Sequence, residues 1–60
     1  MKHYVGEIVD IYDGDLIGWT KARLIKFIGK YNSFEKWNMI TKEGYELNRY
    51  VDFDEIYIKK

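Results

Sequence analysis

A chain of 60 residues has room for one small domain, which buries only about 60% of its unfolded surface. It contains no cysteine, which excludes disulfide bonds and thiolate zinc sites, so the 18% of aromatic residues must supply much of the core. Ten basic and ten acidic residues give a formal net charge of zero, which argues against a general binder of nucleic-acid backbones. No stretch has the pattern of a signal peptide or a membrane span, so we expect a cytoplasmic protein without a membrane partner.

The first predicted strand is Tyr4–Tyr12. The β-branched residues Val5, Val9 and Ile11 share one parity within this segment, which is the pattern of a strand with one buried face. The sequence Asp13-Gly14-Asp15 follows directly and is typical of a turn.

The segment Trp19–Ile28 is predicted to be the second strand, although a helix competes with it. Leu24 and Ile25 begin a spacing that also fits one face of a helix. Gly18 and Gly29 bracket the segment, and small or apolar residues alternate with basic ones up to a bulge expected near Ile25. We therefore favour the strand.

The second half of the chain divides in the same way into short segments. A loop is predicted at Lys30–Ser33, strands at Phe34–Thr41 and Tyr45–Tyr50, a hairpin turn at Lys42-Glu43-Gly44, a turn at Val51–Ile56, and a last strand at Ile56–Ile58. Gly44 suits a position with positive φ. Several short strands joined by glycine turns predict an all-β fold, a small barrel occupying residues 1–60 as a single domain.

Three segments carry a resemblance to known domains: Gly6–Tyr12, Gly18–Ile25 and Val51–Ile56. They resemble the opening strands and the closing turn and strand of Tudor, Agenet and chromo-barrel domains. The resemblance implies an SH3-like five-stranded barrel. In such a barrel Ala22 would lie inside, where the walls meet, and Trp19 would lie at the rim.

Members of these families hold a methylated lysine or arginine in a cage of aromatic rings by cation–π attraction. The positions that match such a cage here are Tyr12 and Trp19, with Trp37 and Tyr45 as later contributors. The chain departs from the pattern at the hairpin, because Lys42–Tyr45 replaces the Asp-Tyr-Gly-Asn segment of good cages. Methyl-mark recognition is therefore a secondary expectation.

No catalytic, metal or cofactor site is predicted. Nucleophilic catalysis needs a Ser, Cys or Thr beside a base. The chain offers one serine, Ser33 in a loop, and one histidine, His3 near the N-terminus, where we expect a frayed and solvated side chain. Asp13-Gly14-Asp15 lacks the alternating and distal ligands of a calcium loop. No phosphate loop or nucleotide fingerprint is present.

The function we expect is non-catalytic binding of another protein, as in a phage-type inhibitor or an adaptor. The compositional bias towards Lys, Ile, Tyr and Asn is typical of an AT-rich bacterial or phage source. Exposed aromatic residues are the usual hot spots of such contacts, and further candidates beside Trp37 are Tyr31, Phe34 and Tyr50.

Two alternatives stay open. Lys21, Arg23 and Lys26 lie where they would share one face of the second strand, so a small barrel with these residues could bind single-stranded nucleic acid. A protein that sequesters a small nucleotide signal between aromatic and basic residues is the other. Self-association into a homo-oligomer would enlarge a core that is thin for a chain of this length.

Overall fold

The computed structural model describes residues 1–15 and 18–59. These residues form four strands and one short helix: β1 (Ile8–Asp13), β2 (Gly18–Tyr31), β3 (Phe34–Thr41), β4 (Glu46–Tyr50) and α1 (Phe53–Tyr57). The strands make one sheet in the order β1-β2-β3-β4, and each strand runs antiparallel to the next. The predicted all-β class is confirmed.

The long strand β2 organises the sheet, because it pairs with β1 along its first part and with β3 along the rest. Its register against β3 shifts between Leu24 and Lys26 and again between Phe27 and Gly29. Bulges bend a strand and increase its twist, so β2 can curl the sheet around its inner face. The strand prediction for this segment, including the bulge near Ile25, is confirmed, and the helix is excluded.

One face of the curled sheet, the inner face, carries the core. Its fully buried apolar residues are Ile11, Ala22, Leu24, Trp37, Met39 and Val51. Removing a side chain the size of leucine or methionine from water stabilises the fold by about 1.5–3 kcal/mol. The expected inside position of Ala22 is confirmed.

The turn between β3 and β4 has the backbone that its sequence predicts. Gly44 has φ of 99°, a value that favours glycine, and its N–H donates to the carbonyl of Thr41 at 2.9 Å. The N–H of Tyr45 donates to the Thr41 hydroxyl at 3.0 Å. Thr41 therefore fixes both the turn and the first residue after it.

The five-stranded barrel is not confirmed, since the sheet of the described residues has four strands and is open between β1 and β4. The strand predicted at Ile56–Ile58 is wrong, because α1 extends to Tyr57. Two features start the helix there. Asp52 reverses the chain at φ of 75°, and the acidic first turn, Asp54 and Glu55, is stabilised by the helix dipole.

Helix α1 makes some of the contacts with β1 that a closing strand would make. Its buried Asp54 accepts a hydrogen bond from the N–H of Tyr12 in β1 at 2.8 Å. Arg49 of β4 donates to the carbonyl of Tyr12 at 3.0 Å and forms an ion pair with Asp54 at 3.1 Å. The side chains of Asp54 and Arg49 thus connect the backbone of Tyr12 in β1 to α1 and β4.

Candidate functional site

The structure places Tyr12 and Trp19 side by side at the turn end of β1 and β2. Their rings meet edge to face with centroids 5.5 Å apart, and the ammonium group of Lys59 lies 5.5 Å from the centre of the Trp19 ring. The same ammonium group is 3.9 Å from the carboxylate of Asp10. Trp19 is partly exposed.

The two later members of the predicted cage do not join this pair. Trp37 is fully buried, so it is a core residue and not a contact residue. Its ring packs edge to face on Phe27 at 5.5 Å, and its indole N–H donates to Glu35 at 3.0 Å. Tyr45 is exposed in the other hairpin, and among the described rings none forms an aromatic pair with it. The four-ring cage is therefore not assembled.

The basic residues of β2 do share a face, which is the outer face of the sheet. Lys21 and Arg23 alternate with the buried residues, and the bulge after Leu24 shifts the parity so that Lys26 joins them, opposite Asn38. Lys21 pairs with Asp10 at 2.7 Å, and this contact lowers the pKa of the Asp10 carboxyl below its ordinary value. One of these three charges is thus balanced locally.

A larger exposed cluster of rings lies where β2, β3, β4 and α1 converge. We call it the aromatic surface, and its members are Tyr31, Phe34, Tyr50, Phe53 and Tyr57. Ring centroids are separated by 4.7 Å between Phe53 and Tyr57, 5.6 Å between Phe34 and Phe53, and 6.0 Å between Tyr31 and Tyr50. All except Phe34 are exposed.

Two clefts flank the ridge that Tyr50 and Phe53 form in this surface. One, of about 430 Å³, lies between the end of β4 and α1 and also involves Arg49, Asp54 and Ile58. The other, of about 340 Å³, opens towards the β2–β3 turn and is lined by the other rings of the surface and by Asn32. The ammonium group of Lys36 lies 5.4 Å from the centre of the Tyr50 ring. Apolar ridges beside shallow clefts can receive the side chains of another molecule.

Sequence reasoning identified Tyr31, Phe34 and Tyr50 as contact candidates but missed Phe53 and Tyr57. These two residues lie four apart, which places them on one face of a helix. That spacing was available in the sequence, but the segment was divided between a predicted turn and a predicted strand. The aromatic surface is completed by the helix that replaces the strand.

The N-terminal residues contain the clearest departure from expectation. His3 is only 9% exposed, so the expectation of a solvated side chain was wrong. Its Nδ1 lies 2.9 Å from a carboxylate oxygen of Glu7, and its Nε2 lies 2.9 Å from the carboxylate of Asp52. Carboxylates only accept hydrogen bonds, so the ring can donate to both only when both nitrogens carry protons.

The charge state of this cluster follows from its contacts. Burial by itself would lower the pKa of His3, but the hydrogen bonds to Asp52 and Glu7 and their negative charges outweigh burial and raise it above 6.5. Burial would raise the pKa of Asp52, yet its contacts with His3 and Lys2 lower it below 3.8. These contacts favour the protonated form of the histidine, which lies between two carboxylates.

Buried Glu35 anchors the same segment from β3. Its carboxylate accepts the backbone N–H groups of Lys2 and His3 as well as the indole N–H of Trp37. Burial would raise the pKa of Glu35, and these hydrogen bonds outweigh that effect and lower it below 4.5. A cleft of about 260 Å³ beside the cluster includes Ser33, but both nitrogens of His3 already face carboxylates.

The polar interior is satisfied throughout the part of the chain that the structure describes. No buried side-chain nitrogen or oxygen there lacks a hydrogen-bond partner. Within residues 1–15 and 18–59, no three His, Cys, Asp or Glu side chains come together in a way that would hold a metal ion. No helix among these residues has the length and apolar character needed to cross a membrane.

Comparison with known proteins gives this chain no relative. No family model, no curated protein and no solved structure matches it. The assignment of a function therefore depends on the surfaces described above.

Proposed function

We propose that this is a non-catalytic protein that acts in the cytoplasm by binding another protein, and that the aromatic surface is the contact. The observation that carries the proposal is the exposure of four neighbouring rings, Tyr31, Tyr50, Phe53 and Tyr57, outside the core. Single exposed apolar residues are normal on a small protein, but a contiguous exposed patch marks a contact, and aromatic residues in clefts dominate the energetics of protein interfaces. An inhibitor or adaptor of this kind needs no further chemistry.

The SH3-like barrel stays part of this proposal as an architecture that α1 closes in place of a fifth strand. The sharing of β2 between β1 and β3 supports it, as do the two bulges that bend β2. In this arrangement the aromatic surface lies at the end of the sheet where α1 meets β3 and β4. The short β2–β3 turn and α1 then present their rings from rigid elements.

The test is a matched pair of tyrosine variants in a capture experiment. Tyr57 and Tyr4 are similarly exposed, at 57% and 66%, but only Tyr57 belongs to the aromatic surface. The tagged protein is used to capture partners from a nuclease-treated bacterial lysate at moderate salt. We expect a protein recovered near equal stoichiometry with the wild type and with Tyr4→Ala, and binding about 30-fold weaker with Tyr57→Ala, since a hot-spot ring contributes 2 kcal/mol or more. Equal recovery with both variants would remove the aromatic surface from the proposal.

Nucleic acid is a second candidate, favoured by one observation. Lys21, Arg23 and Lys26 share the outer face of the sheet, and Trp19 lies on the same side of β2. Single-strand binding by stacking and charge would weaken steeply as salt rises. Binding of a labelled single-stranded oligonucleotide, measured at two salt concentrations with the wild type and Arg23→Ala, separates this function from protein binding.

A further inference from the structure

The free edge of β4 is the feature that carries a further inference. Thr41 and Tyr45 form a hydrogen-bonded pair at one end of the β3–β4 ladder, and Glu35 bonds to Val51 at the other. Hydrogen-bonded and non-hydrogen-bonded pairs alternate along an antiparallel ladder. The N–H and C=O groups of Glu46, Asn48 and Tyr50 therefore point away from β3. No group among the described residues bonds to them.

The other edge of the sheet, β1, differs because side chains bond to some of its outward-facing peptide groups. By the same alternation, the peptide groups of Tyr12 face away from β2, and there Asp54 and Arg49 bond to them. The C-terminal segment also places Lys59 beside Asp10 on that edge. Edge strands with exposed peptide groups invite pairing with another strand, and natural proteins cover or charge them. The chain covers β1 at Tyr12 in this way, whereas it leaves all three outward-facing residues of β4 open.

We propose that β4 pairs with β4 of a second copy of this chain, antiparallel about Asn48, to give one continuous sheet across a symmetric dimer. Only an extended strand offers donors and acceptors in the alternation that this edge presents. In this register Asn48 lies opposite Asn48 of the second copy, and Glu46 lies opposite Tyr50. Each of these residues presents its peptide groups to the other copy, so the edge is complementary to itself. This dimer would cover Tyr50 and the cleft beside Phe53, and its occupant is a second copy, not the partner proposed for the rest of the aromatic surface.

Charge on the outer face supports the second copy as the occupant. Glu46 is held on that face by a hydrogen bond from the Asn38 amide at 3.0 Å. Glu46 would lie beside Tyr50 of the second copy. The ammonium group of Lys36 lies 5.4 Å from the centre of that Tyr50 ring. A symmetric pairing thus brings Glu46 of each copy next to Lys36 of the other, and opposite charges placed in this way fix register.

Shape points to the same occupant. Tyr45 precedes Glu46 in the chain and is exposed. In the dimer it would approach the cleft of about 430 Å³ beside Tyr50, Phe53 and Ile58 of the second copy. Each copy offers one such ring and one such cleft. A two-fold axis through Asn48 satisfies both at once, as an isologous interface requires.

Sedimentation equilibrium of the full chain at several concentrations tests the proposal. We expect the wild type to reach twice the chain mass. Glu46→Lys and Lys36→Glu should each weaken dimerisation about tenfold or more, because each places like charges together twice across the interface. An equimolar mixture of the two variants should recover the dimer, since Lys at 46 of one copy then meets Glu at 36 of the other, and Glu46 of that other copy meets Lys36 of the first. Circular dichroism verifies that each variant keeps the fold.

A second measurement needs no variant. Amide exchange of Glu46, Asn48 and Tyr50 in the wild type should slow as protein concentration rises, while that of the outward-facing amide of Ile8 on β1 should not change. A monomer at every concentration, a dimer that both single substitutions leave intact, or exchange independent of concentration would each overturn the proposal. Loss of partner capture with Tyr57→Ala would not depend on any of these results, so the two proposals fail separately.

Discussion

Asp54 and Tyr12 meet across 42 residues of chain, where the Asp54 carboxylate accepts the backbone N–H of Tyr12 at 2.8 Å. The contact joins a side chain of α1 to the edge of β1, and the neighbouring Arg49 bonds to the carbonyl of the same residue. The N–H and C=O groups of Tyr12, which a fifth strand would otherwise bond, are thus bonded by the side chains of Asp54 and Arg49. The open sheet is held in its curled form by this small polar closure.

The first prediction concerns this closure. Asp54→Ala should destabilise the fold by about 3 kcal/mol, because it leaves Arg49 without its partner and the Tyr12 amide without an acceptor. Urea unfolding measures the loss, and Glu55→Ala in the exposed part of the same helix is the matched control. Faster exchange confined to the Tyr12 amide region would locate the effect. A loss of stability no greater than that of the control would contradict the role assigned to Asp54.

The second prediction is a maximum of stability at about pH 5.5. The pKa of His3 is raised above 6.5 in the folded protein, so its contribution is complete below pH 6.5 and is lost as pH rises through the folded-state pKa. The pKa values of Asp52 and Glu35 are lowered, below 3.8 and 4.5, so their contributions hold above these values and are lost as pH falls through the folded-state pKa. Urea unfolding from pH 3 to 9 measures the profile.

His3→Gln is the variant that assigns the alkaline side of this profile. Glutamine keeps one donor but carries no charge, so the variant should be about 2 kcal/mol less stable than the wild type at pH 5.5. The difference should shrink as pH rises through the folded-state pKa of His3, where the wild type loses its proton. A constant difference across the range would mean that His3 acts through packing and not through charge.

The third prediction separates the two tryptophans. Trp37→Phe should cost about 1.5–3 kcal/mol, because it removes the indole N–H that donates to buried Glu35, while Trp19→Phe should cost less than about 1 kcal/mol. Fluorescence of the two variants provides an independent check. The protein that retains Trp37 should emit at shorter wavelength and resist quenching by iodide, and the one that retains Trp19 should do neither.

The fourth prediction tests the β3–β4 turn. Gly44→Ala forces a side chain into φ of 99°, which should destabilise the fold by about 1–2 kcal/mol although no neighbouring atom would be in the way. Lys42→Ala in the same turn is the control and should change stability by less than about 0.5 kcal/mol. Thermal unfolding of both variants measures the difference. Equal midpoints would mean that the turn relaxes around the new side chain.

The strands were predictable because their patterns are local. Alternation predicted β2 and β3, and the bulge in β2 is visible as a break in parity near Ile25. Gly29 does not end the second strand, because β2 continues to Tyr31. The first strand was placed too early, at Tyr4, since Val5 belongs by parity to β1 but lies exposed before it. Pattern alone cannot tell where pairing with β2 begins.

The candidate site was only partly predictable, for reasons that lie in its long-range contacts. Trp37 shares its parity with Glu35, a charged residue that suggests an exposed face, yet Glu35 is buried because Lys2 and His3 return to bond with it. The burial of His3 depends on Asp52, which is 49 positions away. The spacing of neighbouring residues cannot predict a partner so far away in the sequence. The aromatic surface is predictable in part, because three of its rings are contact candidates in the sequence and the other two have the spacing of one helix face.

The closure of this sheet also sets the order in which the protein is expected to fold. The β2–β3 and β3–β4 ladders join residues that are near in sequence, whereas the contacts of Asp54 with Tyr12 and of Asp52 with His3 span 42 and 49 residues. Closing long loops costs more chain entropy, so the hairpins should form before the two ends are fastened. Substitutions that weaken these two long-range contacts should then increase the unfolding rate and leave the refolding rate almost unchanged. Substitutions that destabilise the β2–β3 hairpin should instead slow refolding. The lifetime of the native state is accordingly governed by a few polar groups near the two ends of the chain.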